Sequence, residues 1–201
     1  MDGDYLFENI FNEVKEYFIT HGGEDDDRGF TFRKRSEHTW RVFTWAQRLS
    51  EGYAINNTAL LIAALFHDIG VTKSLNDHAN QGALIFREYA ANRNYDENQI
   101  DFIEYLIRNH SNKELLAADI PLELILLLEA DMLDETGAHG VIWDAMMAKD
   151  SYVNAYELLK SHSCDEYLPM RTPKAREIWE NKQNLIKEFI KQLKYDLVID
   201  D

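Results

Sequence analysis

An all-α fold is predicted for this chain by three observations. Apolar residues recur at helical spacing along most of its length, β-branched alternation is scarce, and its only prolines, Pro121, Pro169 and Pro173, fall in the second half. At 201 residues, with 45% hydrophobic and 28% charged residues, the chain can bury one substantial core. A single domain over residues 1–201 is therefore expected.

The elements follow in order. A first helix is predicted from Tyr5 to about Thr20, with Leu6, Ile10, Val14 and Phe18 on one face, ended by His21-Gly22-Gly23 and the acidic loop Glu24-Asp25-Asp26-Asp27. The second starts near Ser36, a candidate N-cap, and carries His38, Val42, Trp45 and Leu49 on one stripe. The third covers Asn57 to Asp68 and stops at Gly70; the fourth spans His78 to Asn92. The fifth runs from Asp96 to His110, with Ile100, Ile103, Ile107 and His110 in register. Pro121 suits the opening turn of the sixth, which passes Asp131 to about Glu135. Gly137 and Gly140 break the pattern before a helix at Val141–Lys149; two more follow at Tyr152–Lys160 and Lys174–Leu193, with a loop holding both remaining prolines between them.

Charge and composition exclude several classes. A formal charge of -15 argues against binding a long nucleic acid, whose phosphates are met by clustered Lys and Arg. A small anion stays admissible, because a metal ion and a few local cations reverse the potential inside a cleft. No apolar stretch approaches the ~20 residues that span a bilayer; the longest, Ala59 to Phe66, ends at His67. Met1-Asp2-Gly3-Asp4 offers no basic region ahead of an apolar one, and the lone Cys164 rules out an intramolecular disulfide. A cytoplasmic protein without membrane contact is expected.

Three short segments carry chemistry: Glu37-His38-Thr39, Phe66-His67-Asp68-Ile69-Gly70, and Glu129-Ala130-Asp131-Met132-Leu133-Asp134. Each lies on, or at the end of, a predicted helix with an apolar face, which aims the His and Asp side chains inward. An unpaired carboxylate is costly there and a divalent cation removes the cost. One histidine on an apolar stripe is ordinarily a hydrogen-bonded core residue; four such residues together point to a metal site. His38, His67, Asp68 and Asp131 make a formally neutral first shell around a 2+ ion. Mixed N and O donors suit Mn, Fe, Ni, Zn or Mg, and no thiolate forces zinc; Mn is the expected ion.

In this order, His38, His67-Asp68 and Asp131 resemble the HD-domain superfamily of metal-dependent phosphohydrolases. Ala64 to Gly70 (ALFHDIG), His78 to Tyr89 (HANQGALIFREY), Leu106 to Lys113 (LIRNHSNK) and Glu129 to Val141 (EADMLDETGAHGV) are similar to segments of its small bacterial members. So is the tail, with YELLK near Tyr156 and RTPKAREIWENKQNLIKEFI from Arg171. The resemblance implies a single helical HD-type domain with a central metal cleft, its core at about 36–150 and C-terminal helices at about 151–195. It also implies hydrolysis of a phosphoester or phosphoanhydride, in a nucleotide for the small members. Val71-Thr72 separate Gly70 from Lys73 here, where many members place a lysine directly after the glycine.

Roles follow from the chemistry. A bound cation activates water and polarises a phosphoryl oxygen. Asp68 and Asp134 are the candidate catalytic carboxylates; Asp134, one turn past Asp131, either accepts a proton from water or is simply solvated. Lys73 is a candidate for binding phosphate and assisting the reaction. Arg41, His78 and His110 are candidate substrate contacts, with Arg108 and Lys113 flanking His110. His78 and His110 decide between one ion and two; one tightly bound ion is expected, with both rings lining the cleft. His21, His139 and His162 receive no role, and Cys164, Trp143 and Trp179 are assigned to packing. A nucleotide-sensing module without turnover and a two-metal phosphodiesterase of cyclic or dinucleotide substrates are the alternatives, and a homodimer is left open.

Overall fold

The computed structural model describes residues 2–25, 34–148, 151–163 and 170–199. These fall into two compact units, residues 1–130 and 131–201. Among the described residues every regular element is helical: α1 (Asp2–His21), α2 (Arg35–Ser50), α3 (Asn57–Phe66), α4 (His78–Ala91), α5 (Glu97–Asn109), α6 (Leu122–Asp134), α7 (Ala138–Met147), α8 (Tyr152–His162) and α9 (Pro173–Asp196), with 3-10 turns at Ile69–Thr72 and Lys113–Ala117. None of the described helices is long and apolar enough to cross a membrane.

In the first unit α3 is the central element. Every residue from Ala59 to Phe66 is buried, as expected of a helix that is apolar on all sides. It packs against α1, α2 and α5, while α4 lies on α5 and on the turn Ile69–Thr72. The ends are set by local chemistry. Asn56 accepts a hydrogen bond from the Ala59 amide, and Asp96 with Gln99 forms a reciprocal capping box at α5.

Gly70 fixes how closely α4 approaches. A Cβ there would fall well inside contact distance of the His78 carbonyl oxygen and the Gly82 amide nitrogen, and 2.9 Å from Gln81 Cβ. Gly82 in turn lies where a Cβ would meet the Phe66 and His67 carbonyl oxygens at 3.3 Å. Two glycines thus let the start of α4 press against the chain that leaves α3.

The second unit packs α7, α8 and α9 around Val141, Leu159 and Ile186, with Ile190 and Leu193 partly covered. Thr172 caps α9 and Pro173 occupies its first turn, where a missing amide hydrogen costs nothing.

Several expectations are corrected. Ser36 is not the N-cap of α2. Lys34 holds that position without a side-chain bond, and Ser36 instead donates from Oγ and N to the Glu24 carboxylate at 2.6 and 3.1 Å. The Arg35 amide donates to the Glu24 carbonyl at 2.9 Å, so a residue of the acidic loop caps α2 from outside. α3 ends at Phe66 rather than Asp68, because the chain turns into the 3-10 segment. Gly140 lies within α7, close against the Glu135 carbonyl, and Pro173 belongs to α9 rather than to the loop before it. The 3-10 turn Lys113–Ala117 had no periodic signal. Asp26, Asp27, Cys164 and Pro169 lie outside the described residues.

Candidate metal centre

The end of α3 and three neighbouring helix ends bring four imidazoles to one carboxylate. His38 is on the first turns of α2, His67 and Asp68 follow α3, His78 opens α4, and His110 closes α5. His38, His67, Asp68 and His110 are buried, with 2%, 0%, 6% and 1% of their surface exposed.

Backbone carbonyls fix three of the rings. His67 Nδ1–H donates to Ala64 O at 2.8 Å, His78 Nδ1–H to Leu75 O at 2.9 Å, and His110 Nδ1–H to Ile107 O at 2.6 Å. A carbonyl is only an acceptor, so each ring's proton sits on Nδ1 and its neutral form presents a lone pair at Nε2. Those Nε2 atoms point at Asp68 and at one another.

Two donor sets result, sharing Asp68. On the Oδ2 side, His38 Nε2 and His67 Nε2 are 3.2 Å apart, and lie 3.6 and 3.8 Å from the carboxylate oxygen. On the Oδ1 side, His78 Nε2 and His110 Nε2 are also 3.2 Å apart, at 3.6 and 3.5 Å from the other oxygen. Both sets meet the spacing that would let one ion be held by all three atoms. Metal–ligand bonds of ~2.1 Å put neighbouring ligand atoms about 3.0–3.4 Å apart. Acceptors converge here where lone pairs alone would repel, so a proton or a cation has to stand between them. The donor set fits a divalent ion, and its N/O composition fits the expected metals.

Burial by itself would raise the Asp68 carboxyl pKa. In the ion-free site, with protons at Nε2 between the converging acceptors, the charge of His67, a hydrogen bond from His110, and the charges of Arg35 and His38 outweigh it and hold Asp68 well below the usual carboxylate range. The carboxylate is therefore ionised and available as a ligand.

Arg35 is the residue that sequence reasoning missed. Its Nη1 donates to Asp68 Oδ2 at 2.7 Å. A signal existed: Arg35 precedes His38 by three residues, so the two share one face of α2.

The other candidates are placed as follows. Arg41 is half-buried one turn beyond His38, and Lys73 is exposed just after the turn Ile69–Thr72. Arg108 is committed to Asn80 and Glu104 on the surface, and Lys113 Nζ donates to the His110 carbonyl at 3.1 Å. Asp131 and Asp134 are buried on the last turn of α6, at the start of the second unit. Within that unit the Asp134 carbonyl accepts from His139 Nδ1 at 3.0 Å, and Lys182 Nζ donates to the Thr136 carbonyl at 3.0 Å. Burial lowers the Lys182 pKa against the opposing charge of Asp134. His162, given no role, pairs with Asp144 at 2.8 Å between α8 and α7. His21 stacks on Tyr17, and Trp143 and Trp179 are half-buried, consistent with packing.

Comparison with known proteins agrees with this geometry. The HD domain family model matches residues 35–136. No curated protein matches the chain. Among solved structures, an HD-superfamily hydrolase from Bacillus thuringiensis superposes with a TM-score of 0.66 at 19% identity, over 98% of this chain and 99% of that one. Bacillus subtilis YpgQ in complex with ADP gives 0.68 at 19% identity, over 98% and 97%. The Lin1889 protein of Listeria innocua gives 0.65 at 20% identity, over 97% and 99%. The all-α fold of HD-superfamily hydrolases is thus shared along almost the whole chain, and the matched segment begins at Arg35 and carries every histidine of the cluster: the chain belongs to the HD-domain family.

Proposed function

We propose that this protein is a metal-dependent phosphohydrolase that cleaves a phosphoester or phosphoanhydride bond of a nucleotide. The observation that carries the reading is the convergence of four Nε2 atoms on the two oxygens of Asp68, with three of the rings fixed as acceptors by backbone carbonyls. A nucleotide is favoured because YpgQ, similar in fold, was solved with ADP.

His38, His67 and Asp68 hold the ion, and Asp131 is assigned as the remaining ligand on the HD pattern of the chain. A divalent ion held there would supply an activated water and withdraw charge from the phosphoryl group. Lys73, exposed on its turn, and Arg41 neutralise substrate phosphate. Asp134 accepts a proton. His78 and His110 contact the substrate in the one-ion form, expected with Mn.

A second reading, a two-ion phosphodiesterase, is favoured by one specific observation: the two oxygens of Asp68 face two different pairs of histidines, each making a donor set of three.

Elemental analysis gives the ions per chain, and phosphate release from nucleoside mono-, di- and triphosphates and a cyclic dinucleotide, with and without Mn, gives the reaction. One ion with release from a nucleotide supports the first reading; two ions with cleavage of the diester support the second. A protein that binds ADP and Mn yet turns over nothing is a nucleotide sensor, which refutes both.

A further inference from the structure

The two sides of Asp68 are not equivalent. Among the described residues Oδ1 meets imidazoles, whereas Oδ2 also accepts the Arg35 guanidinium at 2.7 Å. Arg35 is only 21% exposed along its side chain. Its amide is bound to the Glu24 carbonyl, and the next residue, Ser36, is gripped by the Glu24 carboxylate through both N and Oγ. Among the described residues of the acidic loop, Glu24 is bound to Ser36 and Asp25 to Lys34. Asp68 is therefore the carboxylate that Arg35 answers.

A buried carboxylate needs a counter-charge. With a divalent ion bound beside Oδ2, the ion supplies it, and a guanidinium on the same oxygen is repelled by the ion. Arg35 and the ion thus compete for one ligand.

We propose that Arg35 is a placeholder cation, which neutralises Asp68 while the site is empty and yields to the divalent ion, so that it stabilises the ion-free fold at the expense of ion affinity. The inference rests on the metal-centre reading above. It makes a linked demand: a bond present only in the ion-free protein, once removed, must destabilise that form and tighten ion binding by the same factor.

The test uses the full chain with Arg35→Met, which keeps the length and loses the charge. Arg35→Lys retains the charge. Arg35→Gln is the fallback should the ion-free Met variant fail to fold. Calorimetric titration with Mn(II) alone is expected to show binding tightened about tenfold in Arg35→Met, the scale of one charge-assisted hydrogen bond, and Arg35→Lys close to the parent. Melting of the ion-free Met variant is expected below the parent, with the Mn-saturated proteins melting together. Mn affinity that is unchanged or weaker overturns the proposal, as does a Mn-saturated Met variant that melts as far below its parent as the ion-free one. A parent protein that binds no Mn(II) overturns the metal-centre reading itself; a parent that binds it normally beside an unaltered variant overturns only the role of Arg35.

Discussion

Replacing Gly70 with alanine is the most exacting check on how the site is assembled. The new Cβ would stand 2.9 Å from Gln81 Cβ and nearer still to the His78 carbonyl oxygen and the Gly82 amide nitrogen. Relaxed carbon contacts lie at ~3.5–4.0 Å, so the first turn of α4 must retreat by about 1 Å. These neighbours are mainly backbone and cannot swing aside as a side chain would. The cost therefore sits at the upper end for overpacking, about 3 kcal/mol, which for a chain of this size lowers the melting temperature by roughly 6–12 °C. The same retreat carries His78 away from His110, now 3.2 Å distant at Nε2, and from Asp68 Oδ1 at 3.6 Å. Gly52→Ala is the control: its φ is +88° with nothing within 4 Å of the added carbon, so it carries only backbone strain, about 1 kcal/mol. Urea or thermal unfolding of both variants measures the difference. If Gly70→Ala is as stable as Gly52→Ala, the close approach of α4 is not what positions His78.

Asp68→Asn removes the ligand shared by both donor sets, and Mn bound per chain should fall to background in equilibrium dialysis while far-UV circular dichroism is unchanged. The same variant tests linkage. The Asp68 pKa is depressed from 3.8, so the native state binds fewer protons than the unfolded chain; its contribution is fully present above pH 3.8 and is lost as pH falls from there through the folded value, and the acid limb of the stability curve should be shallower in Asp68→Asn. Thr39 is fully buried and its Oγ1 has no hydrogen-bond partner among the described residues; Thr39→Val should stabilise by about 1 kcal/mol in urea unfolding, leaving Mn affinity as it was. Asp96→Ala breaks the capping box of α5 and should cost about 1 kcal/mol, or ~2–4 °C in melting temperature.

The helices were legible because their periodicity is strong. The apolar run Ala59–Phe66 and the stripe Ile100, Ile103, Ile107 announce α3 and α5 on sight, and both are buried as predicted. The cluster was legible in part: His38, His67, Asp68, His78 and His110 were singled out, and the structure brings all five together. What sequence could not give is directional. It does not say that Asp68 turns one oxygen to each pair of histidines, since that depends on the rotamer and on Arg35. It does not show that Ser36 is bound by Glu24 rather than capping α2, since that contact joins residues twelve positions apart in the chain. Nor does it separate Gly140 inside a helix from Gly137 at a break. There the deciding fact is the left-handed φ of +77° at Gly137, which a one-letter code does not carry.

The three imidazoles locked onto their own helix ends have a consequence for handling the protein. Their orientation is set by carbonyls of α3, of α5 and of the segment leading into α4 rather than by a bound ion, so little side-chain freedom is left to lose on loading. Such a cage keeps its shape when emptied, unlike small zinc modules that unravel without their ion. Chelation followed by dialysis against a different divalent cation should therefore exchange one ion for another in the intact fold, and a series of metal-substituted forms can be prepared from a single batch without refolding.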